Sequence, residues 1–339
     1  MKNLSLFLFL AILMSTSIAH AGANHVFLAA GGNQSIAVNI DGNVYEWGER
    51  ADENPRSVFG IDSVSQVAVG QEHALALRKD GTVWSWGDNS HGQLGDGTLI
   101  THDRPVQVLL LTGIVSISAG GYSSYAVRSD GTVWAWGLND SGQLGDGTTN
   151  TRRFATLADA FLNVHAIAAG YGHLVVLRND GTIQQRGFTE QEVLQTSVQT
   201  LSDITAIAAS GRSSYGLKRD GSVWSWGPNA CRRPGDDPLQ VDEIVDHVIA
   251  IASGRYAFLA IRDDGTVWSC SSTGEVTISN GLVDAVSIAA GDSHALAQTK
   301  DGMIWSWGDN TYGQLGSGNR LARANPGPIW DGTGELIPR

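Results

Sequence analysis

Residues 78–98 read RKDGTVWSWGDNSHGQLGDGT, and most of the chain is made of edited copies of this stretch. Asp80-Gly81 stands between the apolar, β-prone runs ALALRK and TVWSWG. Asp-Gly in that setting signals a hairpin closed by a two-residue type I′ turn, because that turn needs positive φ at both central positions. Beyond it Trp84 and Trp86 lie two residues apart, so the period of a strand puts both indoles on one face.

Asp-Gly recurs at 41, 80, 130, 180, 220, 264 and 301, each time downstream of an apolar strand that ends in a small residue and Gly or Ser. Each copy reads as strand (67–70 in the second), loop, strand (73–77), tight turn, strand (82–86) and a long variable loop, with a Pro-bounded strand at 105–110 ending the second copy. Four short strands per unit without helical periodicity are the signature of a propeller blade. One blade cannot bury both faces, whereas seven stacked radially share a continuous core. The expected fold is all-β, a seven-bladed propeller of four-stranded blades over residues 22–339. How the ring closes stays open, since both ends carry whole units.

The copies are unequal. The second, third and seventh hold Trp84/Trp86, Trp134/Trp136 and Trp305/Trp307, each followed by Gly-Gln-Leu-Gly. The first substitutes Tyr45 beside Trp47, and the fifth keeps Trp224/Trp226 without the Gly-Gln-Leu-Gly. In the fourth Gln184 and Arg186 take both Trp slots, and in the sixth Cys270 replaces the second. The fourth blade is therefore the expected weak point or specialised edge.

The N-terminus reads MKNLSLFLFLAILMSTSIAHA, with Lys2 ahead of an apolar core and Ala19-His20-Ala21 as a cleavage motif. This predicts a secretory signal peptide over residues 1–21 and an exported product, periplasmic or extracellular, with no integral membrane segment after cleavage. Lys+Arg number 22 against 34 Asp+Glu, for a net charge of −12. An acidic surface repels phosphate backbones and argues against nucleic-acid binding.

The remaining chemistry is sparse. The Trp pairs read as packing, each ring burying about 150–250 Å² between blades. His73, His173 and His294 share one slot in separate blades, so they cannot meet around a metal ion and read as hydrogen-bonded structural residues. Asp-rich loops such as Asp88-Asn89 with Asp96 lack calcium-ligand spacing and read as turns. No metal and no cofactor are expected. Cys231 and Cys270 are the only cysteines; a bridge between adjacent blades and two separate thiols both fit the sequence. No short catalytic motif is present, and a non-catalytic protein is expected.

The pattern I-A-A-G-x-x-H-x-L-A-L-x-x-D-G-x-V-W-x-W-G-x-N-x-x-G-Q-L-G, nearly whole at 67–95 and 288–316, resembles the regulator of chromosome condensation repeat family. The resemblance covers essentially the whole mature chain and implies a seven-bladed propeller. Nuclear members act as nucleotide exchange factors for a small GTPase and dock on chromatin through basic surfaces, which an exported acidic chain does not match. A secreted bacterial member with similar repeats inhibits β-lactamase through loops on one rim. By that resemblance the loops between the first and second strands are the partner-binding surface, and here Tyr122, Tyr171, Arg212, Arg255 and Tyr256 form a run across blades three to six. Tyr and Arg are favoured at interface hot spots, while an ordinary solvated rim is the plain alternative. The resulting expectation is a monomeric, exported binder of a protein partner. Its rivals are an envelope-associated structural module, an effector exchanging nucleotide on a host GTPase, and hydrolase or lyase chemistry at the central channel.

Overall fold

The computed structural model describes residues 26–187, 196–198, 201–228, 231, 235–242, 247–271 and 274–329. The leader expected at residues 1–21 lies outside the described residues. Among them the chain forms 28 strands in seven four-stranded sheets, each built from four consecutive antiparallel strands. Blades one to seven span 27–57, 64–107, 114–157, 164–198, 204–240, 248–278 and 285–328.

Blade two shows how composition sets the layers. Its strands Val64–Val69 and His73–Arg78 are mostly buried on both faces, and Val83–Gly87 leaves only Trp84 half-buried. The outer strand, His102–Gln107, is largely exposed. It therefore begins upstream of the 105–110 run, because the chain rejoins the sheet where His102 pairs with Gly87. Pro105 is tolerated there because an edge strand leaves one row of backbone groups unpaired.

The Asp-Gly hairpins differ from the expected type I′ turn. Arg78 N–H donates to the Thr82 carbonyl at 2.9 Å and Gly81 N–H to the Arg78 carbonyl at 2.9 Å. The loop thus has three residues, and φ is positive at Gly81 (+80°) but not at Asp80. That is the pattern of a type I turn followed by a left-handed glycine. Thr82 supplies the reason: its amide (3.0 Å) and hydroxyl (2.6 Å) both donate to Asp80 Oδ1, an Asx arrangement that holds Asp80 at negative φ. Those bonds keep the Asp80 carboxyl below its usual pKa.

Seven apolar clusters hold the ring, each shared by two neighbouring blades. The second Trp of each pair enters such a cluster: Trp47, Trp86, Trp136, Trp226 and Trp307 are at most 8% exposed. Several first-slot rings lie at the edge of the same clusters and carry cations over their faces, as Arg128 does over Trp134 at 4.5 Å and Lys218 over Trp224 at 4.5 Å.

The second-slot indole N–H groups of Trp47, Trp86, Trp136 and Trp226 need acceptors, and the previous blade provides them. Trp136 Nε1 donates to the Gln93 carbonyl (2.8 Å) and Trp47 Nε1 to the Gln314 carbonyl (2.9 Å), both within Gly-Gln-Leu-Gly loops. Blades one and four lack that loop and substitute a side chain from the middle of the third strand. Trp86 Nε1 donates to Glu46 Oε2 (2.8 Å), and Trp226 Nε1 to Gln185 Oε1 (2.7 Å). Blade five also lacks the loop, and there the second slot of blade six holds Cys270 in place of an indole. Cys231 and Cys270 instead form a disulfide across that interface, with their Cα atoms 5.9 Å apart.

A second fastener alternates around the ring. His73, His173 and His294 are buried, and each Nε2 meets a serine of the next blade: Ser124 (2.8 Å), Ser214 (2.9 Å) and Ser35 (2.7 Å). Ser124 and Ser35 donate their only hydroxyl proton to the Gln93 and Gln314 carbonyls. At those two interfaces the imidazole must therefore donate from Nε2, leaving Nδ1 unprotonated. Burial lowers the pKa of all three rings to about 4. They occupy three different interfaces, and none reaches another.

Among the described residues the seam between blades seven and one exchanges no strand. It is closed by the His294–Ser35 and Trp47–Gln314 bonds, by Val26 N–H to Gln298 Oε1 (3.1 Å) and by the Arg320–Glu53 ion pair (3.1 Å).

Candidate functional site

The turn between the first and second strands of each blade faces one end of the ring. Its first position, at the mouth of the central channel, is Gly32, Gln71, Gly121, Tyr171, Gly211, Arg255 and Asp292 in blades one to seven. In blades one, three and five that residue is a left-handed glycine with φ of +50°, +53° and +54°. Its carbonyl accepts the turn amide of the preceding blade: Asp292 to Gly32, Gln71 to Gly121 and Tyr171 to Gly211, each at 2.9 Å. A side chain at Gly32 or Gly121 would run into the turn backbone of the following blade, at the Gln71 or Tyr171 carbonyl. Glycine is thus required to knit the ring, and the larger side chains fall on the blades between.

Those side chains form a continuous belt. Tyr122 and Tyr171 meet edge to face with ring centres 6.1 Å apart. The Arg255 guanidinium lies 5.6 Å from the centre of the Tyr171 ring and 5.3 Å from that of Tyr256. Arg255 also faces Asp292 at 3.7 Å, and Gln71 Nε2 donates to the same Asp292 oxygen at 3.1 Å. Four of the five rim residues expected from sequence therefore touch in series. Arg212 is exposed at the second turn position of blade five.

Sequence reading missed His91. It comes from the long loop of blade two and reaches Tyr122 with ring centres 5.0 Å apart. The signal was its place one residue ahead of Gly-Gln-Leu-Gly, a loop at the same end of the blade as the turns. Burial, helped by Tyr171 and Glu72, raises the Tyr122 phenol above its ordinary pKa, so it is a neutral donor at physiological pH.

Beneath the belt, the channel widens into a cavity of about 90 Å³ walled mainly by Ala, Gly, Val and Ser. Among the described residues no three His, Cys, Asp or Glu side chains are grouped to hold a metal ion, and no helix is long and apolar enough to cross a membrane. The belt offers aromatic faces, one guanidinium and hydrogen-bond donors on an open surface, an arrangement suited to recognition.

Residues 64–93, 114–143 and 285–314, and in an overlapping description 80–127, 130–177 and 301–332, match the regulator of chromosome condensation (RCC1) repeat. The human E3 ubiquitin-protein ligase HERC2 is 28% identical over 133 residues, which is 32% of this chain and 3% of that protein. The mitochondrial RCC1 domain-containing protein RUG3 of Arabidopsis thaliana is 25% identical over 147 residues, 34% of this chain and 32% of that protein. The chain thus matches a third or less of the length of these relatives. In structure it is similar to yeast RCC1 (Prp20), solved bound to Kap60. The TM-score is 0.77 at 20% identity, covering 94% of this chain and 90% of that one.

Proposed function

The chain belongs to the regulator of chromosome condensation repeat family, and from that premise we propose that it is an exported, non-catalytic scaffold that binds a protein partner through the channel-mouth rim. The observation that carries this reading is the belt of Tyr122, Tyr171, Arg255 and Tyr256, in contact across blades three to six. Tyr171 and Tyr256 are 39% and 47% exposed. Large, half-open aromatics beside an arginine are the composition of interface hot spots, and rigid blades hold them in place without ordering cost on binding. Prp20, similar in fold, was solved in complex with another protein, which supports a protein-binding role.

Export rests on the sequence of residues 1–21 and is supported by the Cys231–Cys270 bridge, since disulfides persist in oxidising compartments. Protein recovered from its native cells is expected outside the cytoplasm and to begin near Gly22. A cytoplasmic product that retains Met1 would refute export.

The test of the rim is affinity capture from the native non-cytoplasmic fraction. Wild-type protein is compared with a variant in which Tyr122, Tyr171, Arg255 and Tyr256 are changed to Ala, both verified as folded by circular dichroism. A protein retained by the first and lost by the second is the expected result. Equal capture by both sinks the rim assignment.

A further inference from the structure

Within the belt, Arg255 is chemically distinct. Its guanidinium lies over the faces of Tyr171 and Tyr256, and the side chain is 42% exposed. The adjacent carboxylate does not satisfy it. Asp292 Oδ2 stands 3.7 Å away, beyond hydrogen-bond length, and that same oxygen already accepts Gln71 Nε2 at 3.1 Å. The fork is therefore oriented by two rings and one distant charge, with N–H groups left for an incoming acceptor.

We propose that the channel mouth is a carboxylate site: an acidic side chain of the protein partner docks on Arg255 beside Tyr171 and Tyr256. This inference rests on the rim-binding reading and specifies the chemistry of its partner. Arginine matches a carboxylate bidentately, and the two ring faces beside it fix the plane in which the fork is offered. Asp292 beside the guanidinium lowers the net positive potential of the mouth, so what the site offers an anion is the directed N–H fork rather than net charge. The mouth is ringed by backbone at Gly32, Gly121 and Gly211.

The test uses a displayed library of random 12-residue peptides, selected on the wild-type protein and then screened against two folded variants, one with Tyr122, Tyr171 and Tyr256 changed to Ala and one carrying R255Q. Peptides that need the tyrosines are expected to share an Asp or Glu. Changing that residue to its amide is expected to weaken binding about tenfold on wild-type protein and to have no further effect on R255Q, the coupling expected of a direct pair. Tyrosine-dependent peptides with no acidic requirement, or with an acidic residue uncoupled from Arg255, would overturn the carboxylate site and leave the rim reading standing. Enriched peptides indifferent to the tyrosines, or no enrichment at all, would count against both.

Discussion

The interface between blades two and three and that between blades five and six bury apolar clusters of similar make-up, yet different bonds fasten them. Blades two and three are joined by the His73–Ser124 pair, the Trp136 indole on the Gln93 carbonyl and the Gln71 amide on the Gly121 carbonyl. At the other interface the corresponding slots hold Ser213, Phe258 and Cys270. Tyr215 stacks on Phe258 with ring centres 4.3 Å apart, and a disulfide stands where the indole bond would be. Loss of the repeat's consensus residues is thus not loss of adhesion. Where the directional polar bonds are missing, a ring stack and a covalent bond occupy the same places.

The largest effect expected from this difference is in acid. The three latch imidazoles have a pKa of about 4 in the folded protein against 6.5 for the ordinary group. Between those values the unfolded chain binds protons that the folded one refuses, so stability rises with pH across the window. The penalty is absent above pH 6.5, grows as the pH falls to about 4 and levels off below. It reaches about 3 kcal/mol for each ring. Urea unfolding measured from pH 7.5 to 4 should show that slope, and replacing His73, His173 and His294 by Gln should flatten it. An unchanged slope in the triple variant would dissolve the polar side of the comparison.

Next in size, W136A should cost about 3–5 kcal/mol by urea unfolding, since it removes a buried ring and one of the two bonds that the Gln93 carbonyl accepts. Opening the Cys231–Cys270 bridge by C231S/C270S is expected to cost about 2–4 kcal/mol. Thiol labelling of the unreduced, denatured wild-type protein should find no reactive thiol; two would remove the covalent half of the contrast. Q185A should cost about 1–3 kcal/mol, because it strands the Trp226 N–H in a buried site. An equal loss from S85A would show that the middle-strand position matters for its own sake and not as the indole's acceptor. Smallest, G81A is expected to cost about 1 kcal/mol by urea unfolding through its positive φ.

Much of this architecture was legible along the chain. The Asp-Gly spacing and the Trp slots carry the blade count, and period-two alternation places both rings on one face, because these features depend on neighbours within a hairpin. The turn type was not, since it is decided by Thr82, whose bonds to Asp80 add a residue to the loop. Nor was the meaning of Glu46 and Gln185. Their partners, Trp86 and Trp226, belong to the following blade, and only the shared lack of Gly-Gln-Leu-Gly in blades one and four hints that a substitute acceptor is needed. The His slot was visible, but its serine stands 51, 41 or 259 residues away in sequence. At the rim the tyrosines and arginines could be read from turn positions. The contact of His91 with Tyr122 joins two blades and two kinds of loop, which a scan of equivalent positions does not connect.

The left-handed glycines at blades one, three and five, answered by latch histidines at two, four and seven, amount to a two-colour pattern painted on a circle of seven. An odd circle cannot alternate without a fault. Blades two with three, four with five and seven with one form couples, and blade six is left single, with Ala257 and Phe258 in the coupling positions. The fault falls beside the one covalent joint in the ring and directly under Arg255. The blade exempt from the pairing rule is thus the one whose turn is free to carry a side chain chosen for something other than holding the circle together.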